Sequence, residues 1–568
     1  MPPSDDEFHE RRTAALDRIL DSDASLKLIV AGPGTGKTFT FGKVLEGCGG
    51  RGLAMTFLLT LVRDLQDAMG DSTDVYSFHG FARRLLHRLD GTGVSRGVTY
   101  YPPLSSIFLE DVRIVDGAIL DSLALGALFR SLADDAPFLQ RALASGKYYD
   151  GVGYDDAVYR VLQSLEADES RIPQYPQIVV DEFQDFCPLE VSFVKRLALR
   201  SPTLIVGDDD QALYVFRDAT PQAIRDLAAG SEYDRFELPF CTRCTEVIVA
   251  ATHTVVARAQ RVNLLAGRLD KPYECFLPEK RADSAANPKI IHAHCSTQTS
   301  RAPYMGRYIK ETIEAISDED IQESYAKKFP AVLIIGPKPF LGQVEAHLRQ
   351  SFANILISST EAPELRDLDA YRLLVTDPTS NLGWRILVQL LQPTGWEAAV
   401  RDALANSTPL RDGLQAEFVE QHLSISQLLS HFLSGDVLTQ DERAALALAL
   451  GVDSSILEET ITPTAPPTVA MDESKPTIML TSLMGSKGLQ AAHVFVIGMN
   501  EGHFPHQNSA PTNEEVCQLL VALTRTRKSC TIVSSGRLGA VQLRESVFVR
   551  WLAPHIKTIS VNQHYFNS

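Results

Sequence analysis

The sequence predicts a mixed α/β protein in which parallel sheets are flanked by helices, and three observations lead there. An apolar run of strand length, Leu26-Lys-Leu-Ile-Val30, leads into a glycine-rich loop and a helical stretch that begins at Thr38. A second apolar run, Gln177-Ile-Val-Val180, ends in two carboxylates, Asp181 and Glu182. Finally, 568 residues are too many for one hydrophobic core, so two to four domains are expected.

The loop Gly32-Pro33-Gly34-Thr35-Gly36-Lys37-Thr38 meets the pattern G-x-x-x-x-G-K-[ST] at its last three residues, with Ala31 in place of the first glycine. Glycines let the backbone curl until successive N–H groups point inward, and the helix start adds partial positive charge. Such a loop cradles phosphates. Lys37 would reach the β- and γ-phosphates, and the Thr38 hydroxyl would ligate Mg²⁺. The plain alternative is a chance strand-to-helix turn, which the Asp-Glu strand downstream makes a poor explanation.

Open parallel sheets bind ligands at the carboxyl ends of their strands, which is where Asp181 and Glu182 fall. Asp181 is placed to hold Mg²⁺ and Glu182 to polarise an attacking water. Together the two segments predict hydrolysis of a nucleoside triphosphate.

Composition bounds the setting. The chain is 45% hydrophobic and 22% charged, ordinary values for a globular protein. No apolar run reaches the roughly 20 residues that span a bilayer, and Met1-Pro-Pro-Ser-Asp-Asp-Glu lacks the order of a signal peptide. Eight cysteines do not suggest a disulfide scaffold, and Cys241-Thr-Arg-Cys244 has no second CxxC to complete a zinc site. No membrane association and a cytoplasmic location are expected. A net charge of −17 does not exclude a nucleic-acid partner, because phosphate contacts depend on local clusters such as Arg83-Arg-Leu-Leu-His-Arg88.

Further segments follow in a fixed order: Gly207-Asp-Asp-Asp-Gln-Ala-Leu-Tyr-Val-Phe-Arg217, Ser77-Phe-His-Gly-Phe81, Ser486-Lys-Gly-Leu489 and Val521-Ala-Leu-Thr-Arg-Thr526. With the P-loop and Asp-Glu-Phe-Gln-Asp185, this set resembles the superfamily one DNA helicases of the UvrD/Rep/PcrA type, over nearly the whole chain. The resemblance implies ATP and Mg²⁺ as cofactors, single-stranded and partly duplex DNA as partner, and 3′ to 5′ movement. It implies that Gln211 senses the γ-phosphate, that Arg243 and Arg525 face it, and that Gly488 and Gln490 adjoin the nucleotide. Arginine's fixed fork of donors suits charge on a transferring phosphoryl group. It also implies single-strand contacts at Phe57, His79, Tyr214 and Phe216, where base–aromatic stacking contributes roughly 1–3 kcal/mol per base. The plain alternatives are core packing for Phe57 and Phe216, and surface salt bridges for Arg243 and Arg525.

The architecture so implied is two RecA-like P-loop motor domains with mainly helical insertions. Residues 1–80 plus 165–275 form the first and 285–380 plus 476–560 the second. Residues 81–164 are a helical insertion, and 381–475 are a second, reduced one ending in a Pro/Thr linker. Four departures from the family pattern stand out. Arg11 occupies the place of an adenine-reading glutamine, Thr242 that of a base-stacking aromatic, Gln490 that of a ribose-binding glutamate and Met484 that of a histidine. Phosphate chemistry is therefore expected to be intact and base recognition loosened. Two other functions fit the same residues. One is an ATPase motor subunit of a nuclease or defence complex, with weak unwinding alone and a nuclease or repair factor as protein partner; the other is a nucleotide-gated DNA-binding module without turnover.

Overall fold

Two parallel sheets organise the chain. The structure is a computed structural model describing residues 4–56, 62, 65–67, 70, 73–90, 98–134, 136–296, 304–357, 364–462, 472–507 and 510–567. The first sheet contains β1 (Leu26–Val30), β2 (Gly52–Thr56), β3 (Thr73–Ser77), β4 (Ile178–Val180), β5 (Thr203–Gly207) and β6 (Asp234–Glu237), in the order β3-β2-β4-β5-β1-β6. The second contains β7 (Ile290–Cys295), β8 (Val332–Ile335), β9 (Ile355–Ile357), β10 (Ile478–Thr481), β11 (Ala491–Ile497), β12 (Thr526–Ser535) and β13 (Ile556–Val561), in the order β9-β10-β8-β11-β12-β7-β13. Every pairing in both sheets is parallel. Continuous apolar runs such as Ile178–Val180 and Val332–Ile335 belong at the centre of such sheets, because helices cover both faces.

The first sheet buries one face in a core with Phe41, Leu45 and Val206, and the other in a core that includes Phe78, Phe183 and Phe193. The latter core runs on without a break into two helical regions. Helices Phe78–Asp90, Leu104–Asp116, Ser122–Arg130, Pro137–Tyr148 and Tyr154–Ala167 form one; helices from Asp367–Thr376 to Leu457–Ile461 form the other. The two regions meet at a fully buried ion pair, Arg385 to Asp111 at 2.9 Å, and at Arg113, which pairs with both Glu110 and Glu397. Breaking a buried pair of the first kind costs about 3–5 kcal/mol, so the two helical regions are firmly registered on each other.

A third core lies between the two sheets. It draws Leu213, Cys241 and Tyr273 from the first-sheet half and Leu333, Val521 and Ile532 from the second. This packing brings the carboxyl ends of β1, β4 and β5 up against the turn before β12 and the loop after β10. Among the described residues no helix is long and apolar enough to cross a membrane.

Candidate active site

A cavity of about 200 Å³ lies at that junction. Its walls gather Pro33, Gly34, Gly36, Lys37 and Thr38 from the loop after β1, Asp181 and Glu182 from the end of β4, and Gln211 from the segment after β5. Thr242 and Arg243 close one side, while Gly488, Gln490, Arg525 and Arg527 arrive from the second-sheet half. Sequence positions spread over most of the chain thus share one wall-to-wall space.

The phosphate loop has the backbone this role requires. Gly34 and Gly36 take left-handed conformations, with φ of +70° and +88°, which side chains on Cβ rarely adopt. A Cβ on Gly34 would also come within 2.6 Å of Arg243 Cβ. Gly36 caps the helix Lys37–Glu46, so the first N–H groups of that helix face the cavity. Thr35 is buried and donates its hydroxyl to the Gly32 carbonyl at 2.9 Å. Gly32 stays outside the main cavity and packs against Tyr273, whose ring a Cβ there would meet at 2.6 Å. Lys37 Nζ donates to the Ala31 carbonyl at 3.3 Å.

The two carboxylates differ in surroundings. Glu182 has φ of +54°, and its carboxylate accepts from Gln184 Nε2 at 2.5 Å and lies 3.3 Å from Lys487 Nζ. Burial would push this group up, but Lys487 and Lys37 outweigh it and hold the carboxyl down to about 2. Asp181 is buried beside Glu182, and burial together with that neighbouring charge pushes it up. Thr38 and Asp181 present a hydroxyl and a carboxylate in the same cavity as the phosphate loop, a donor set that suits Mg²⁺.

Gln211 joins the halves. Its amide nitrogen donates to Asp208 at 2.6 Å, and its side-chain oxygen accepts from Arg525 Nη2 at 3.0 Å. Arg525 also donates to the Leu489 and Val521 carbonyls, and Arg243 Nη1 donates to the Thr524 carbonyl at 3.3 Å. Burial and the neighbouring Arg243 lower the Arg525 guanidinium to about 10, so it stays charged at neutral pH. Arg243 and Arg525 line the cavity rather than a surface ion pair.

Two lysines escaped the sequence reading of roles. Lys487, in the Ser486-Lys-Gly segment, pairs with Glu182 and Asp185 and donates to the Gln211 carbonyl at 3.0 Å. Lys271 lies 2.7–2.9 Å from Asp208, Asp209 and Asp210, all buried. Arg225 and Arg268 complete the neutralisation of these three carboxylates, at 3.0 and 2.8 Å. Nothing local flags either lysine; both act across the chain, Lys487 from 302 positions beyond Asp185.

The nucleic-acid candidates fall outside the cavity. Phe216, on the single turn Val215–Arg217, is 50% exposed, and its ring lies 6.0 Å from that of Tyr214. Tyr214 is half-buried, with Lys487 Nζ 5.8 Å from its ring centre. His79 sits on the helix Phe78–Asp90, with Nε2 3.6 Å from Asp155 and its ring edge-on to the half-exposed Tyr154. Arg217, at the end of the same turn as Phe216, also reaches Asp155 at 3.6 Å. Phe57 lies outside the described residues. Of the departures, Thr242 lines the cavity but gives both its N–H and its hydroxyl to the Gly34 carbonyl, at 2.9 and 3.3 Å. Arg11 is not a wall residue. It pairs with Glu274 at 2.6 Å and lies over the Phe240 ring.

Comparison with known proteins agrees with this assembly. Residues 13–217 match the family described as AAA domain. The chain is 24% identical over 601 residues to ATP-dependent DNA helicase UvrD1 of Mycobacterium tuberculosis, covering 87% of this chain and 74% of that protein. It is 22% identical over 618 residues to ATP-dependent DNA helicase Rep of Salmonella typhimurium, covering 89% and 88%. A probable DNA helicase II homolog of Mycoplasma capricolum is 24% identical over 430 residues, and there the match spans about half of the relative, 54%. Low in identity but long in extent, these matches make the chain a homologue of the UvrD/Rep group of P-loop helicases.

Proposed function

We propose that the protein is an ATP hydrolase that moves along single-stranded DNA and separates duplex ahead of it. The observation that carries this reading is the cavity in which a phosphate loop, two carboxylates and arginines from the opposite sheet converge. Lys37 and the backbone of the loop would bind the β- and γ-phosphates. Mg²⁺, held by Thr38 and Asp181, would supply Lewis-acid polarisation of those phosphates. Glu182, ionised through its two lysine neighbours, would take the proton of the attacking water. Arg243, beside the phosphate loop, and Arg525, from the second-sheet half, would stabilise charge on the transferring phosphoryl group, and Arg525 reaches the site only while the two halves are together.

Gln211 supports the coupling of hydrolysis to movement. It touches Arg525 through its side chain and Lys487 through its carbonyl, and the same segment ends in Tyr214 and exposed Phe216. Loss of the γ-phosphate would change what Gln211 and Arg525 hold, and with it the spacing of the two halves against the DNA. The relatives are named ATP-dependent DNA helicases, which favours DNA and ATP over other substrates. Movement 3′ to 5′, a cytoplasmic setting, division into two motor domains with two insertions, and His79, Tyr214 and Phe216 as strand contacts belong to the same proposal.

The test is nucleotide hydrolysis with and without single-stranded DNA, followed by unwinding of substrates with a 3′ or a 5′ tail. Stimulation by DNA and unwinding from the 3′ tail are expected. Absence of hydrolysis under both conditions would overturn the reading.

A further inference from the structure

Three arginines line the nucleotide cavity, and the sequence motifs account for only two of them. Arg527, two residues beyond Arg525 at the start of β12, is the third. Its Nη1 donates to Gln490 Oε1 at 3.1 Å, and its guanidinium lies 4.8 Å from the centre of the Phe329 ring. Among the described residues it makes no ion pair. Burial and the neighbouring Arg243 lower its pKa, against smaller opposing pulls from Glu323 and Asp283. A guanidinium has five N–H donors, and one hydrogen bond to an amide does not use them. Partly buried on the wall of the cavity, the guanidinium has donors left over for an anionic ligand held there.

We propose that Arg527 is a binding residue for the nucleoside triphosphate, held by Gln490 and donating to the bound nucleotide from the second-sheet side. The inference rests on the ATPase reading above and deepens it. Arg525 reaches towards Gln211, the γ-phosphate end, whereas the polar contact of Arg527 is to Gln490. Arg527 therefore strengthens the bound ground state more than the transition state. It also gives Gln490 a specific role: its side-chain oxygen orients the guanidinium without neutralising it. A glutamate at 490 would instead take the charge for itself.

The experiment measures binding of AMP-PNP with Mg²⁺ by titration calorimetry, and ATP hydrolysis on saturating single-stranded DNA, for the full chain and three variants. Arg527→Gln is expected to weaken AMP-PNP binding roughly tenfold, as loss of a charge-assisted hydrogen bond does, with kcat changed less than about threefold. Arg527→Lys should fall between. Gln490→Glu, which leaves the arginine in place, should also weaken AMP-PNP binding and raise KM, while its urea midpoint rises or holds because a new ion pair forms. Nucleotide binding left untouched by Gln490→Glu, whose carboxylate would hold the guanidinium, overturns the proposal even where Arg527→Gln unfolds. Unchanged binding in a folded Arg527→Gln overturns it as well. Failure of the ATPase reading is distinguishable, because the unsubstituted chain would then bind no AMP-PNP.

Discussion

Arg525 Nη2 donates to Gln211 Oε1 at 3.0 Å, a hydrogen bond that joins the two sheets across the nucleotide cavity. Both groups are buried, so the bond is sheltered from solvent, and both residues line the cavity. Arg525→Lys keeps the charge but loses the fork that serves Gln211, Leu489 and Val521 at once. It is expected to lower kcat by roughly 10²–10³, the range for removal of one transition-state donor. Combined with Gln211→Ala, the loss should be well short of the sum of the two single losses, since the pair acts as a unit. Full additivity in a double-mutant cycle on kcat/KM would show the contact to be incidental.

Glu182→Gln removes the carboxylate that Lys487 and Lys37 keep ionised, while leaving Lys37, Thr38 and Asp181 in place. Turnover is expected to fall by at least about 10², with AMP-PNP affinity within a few-fold of the parent chain. Lys37→Ala should instead lose both. Equal loss of binding in the two variants would remove Glu182 from the role of base.

Lys271→Met leaves Asp208, Asp209 and Asp210 buried with two cations where there were three. Breaking such a network by removing one partner costs about 3–5 kcal/mol, so the urea midpoint read by circular dichroism should drop sharply. Asp208 also accepts from Gln211 at 2.6 Å, so ATP turnover should drop in any folded fraction. Lys271→Arg should recover most of the stability. A midpoint unmoved by Lys271→Met would mean that the aspartates are protonated in the fold.

How much of this was legible in the sequence depends on whether the signal is local. The phosphate loop is written in consecutive residues, and its geometry follows because only glycine tolerates φ near +70° and +88° at Gly34 and Gly36. The buried strand Ile178–Val180 likewise announces itself, though its apolar run reads from Gln177, one residue earlier. Lys487 and Lys271 carried no such mark. A lysine's role here is set by which carboxylates the fold brings to it, and those lie far away in the chain. Phe216 was ambiguous for another reason: an aromatic residue in a short apolar motif reads alike whether it points to the core or to solvent, and only the fold leaves it 50% exposed.

That exposure permits a clean test. Phe216→Ala removes an aromatic surface outside the cavity, beside Tyr214 but not among the buried residues. Stimulation of the ATPase by single-stranded DNA is expected to weaken several-fold, in keeping with roughly 1–3 kcal/mol per stacked base, while hydrolysis without DNA stays level. Binding measured by fluorescence anisotropy should weaken in parallel and fall further with added salt. A matching fall in basal and stimulated rates would assign Phe216 to the support of the nucleotide site instead.

The last prediction concerns the base. Strong discrimination between ATP and GTP needs polar groups that the wrong base leaves unpaired, or an aromatic surface fixed over the right one. Thr242 offers neither, because its hydroxyl and its N–H are both spent on the Gly34 carbonyl. Arg11 is equally committed: it makes two hydrogen bonds to Glu274, at 2.6 and 3.2 Å, and covers the Phe240 ring. Freeing it for a base would require breaking that pair. The phosphate loop, Mg²⁺ and the arginines do not sense the base, so affinity should survive where selectivity does not. The ratio of kcat/KM for ATP over GTP, measured on saturating single-stranded DNA, is expected to stay below roughly a hundredfold, about 2.7 kcal/mol. Thr242→Tyr, which would place a ring at the cavity wall, should raise that ratio. A parent preference above a hundredfold, unmoved by Thr242→Tyr, would place the reading of the base in residues other than these two.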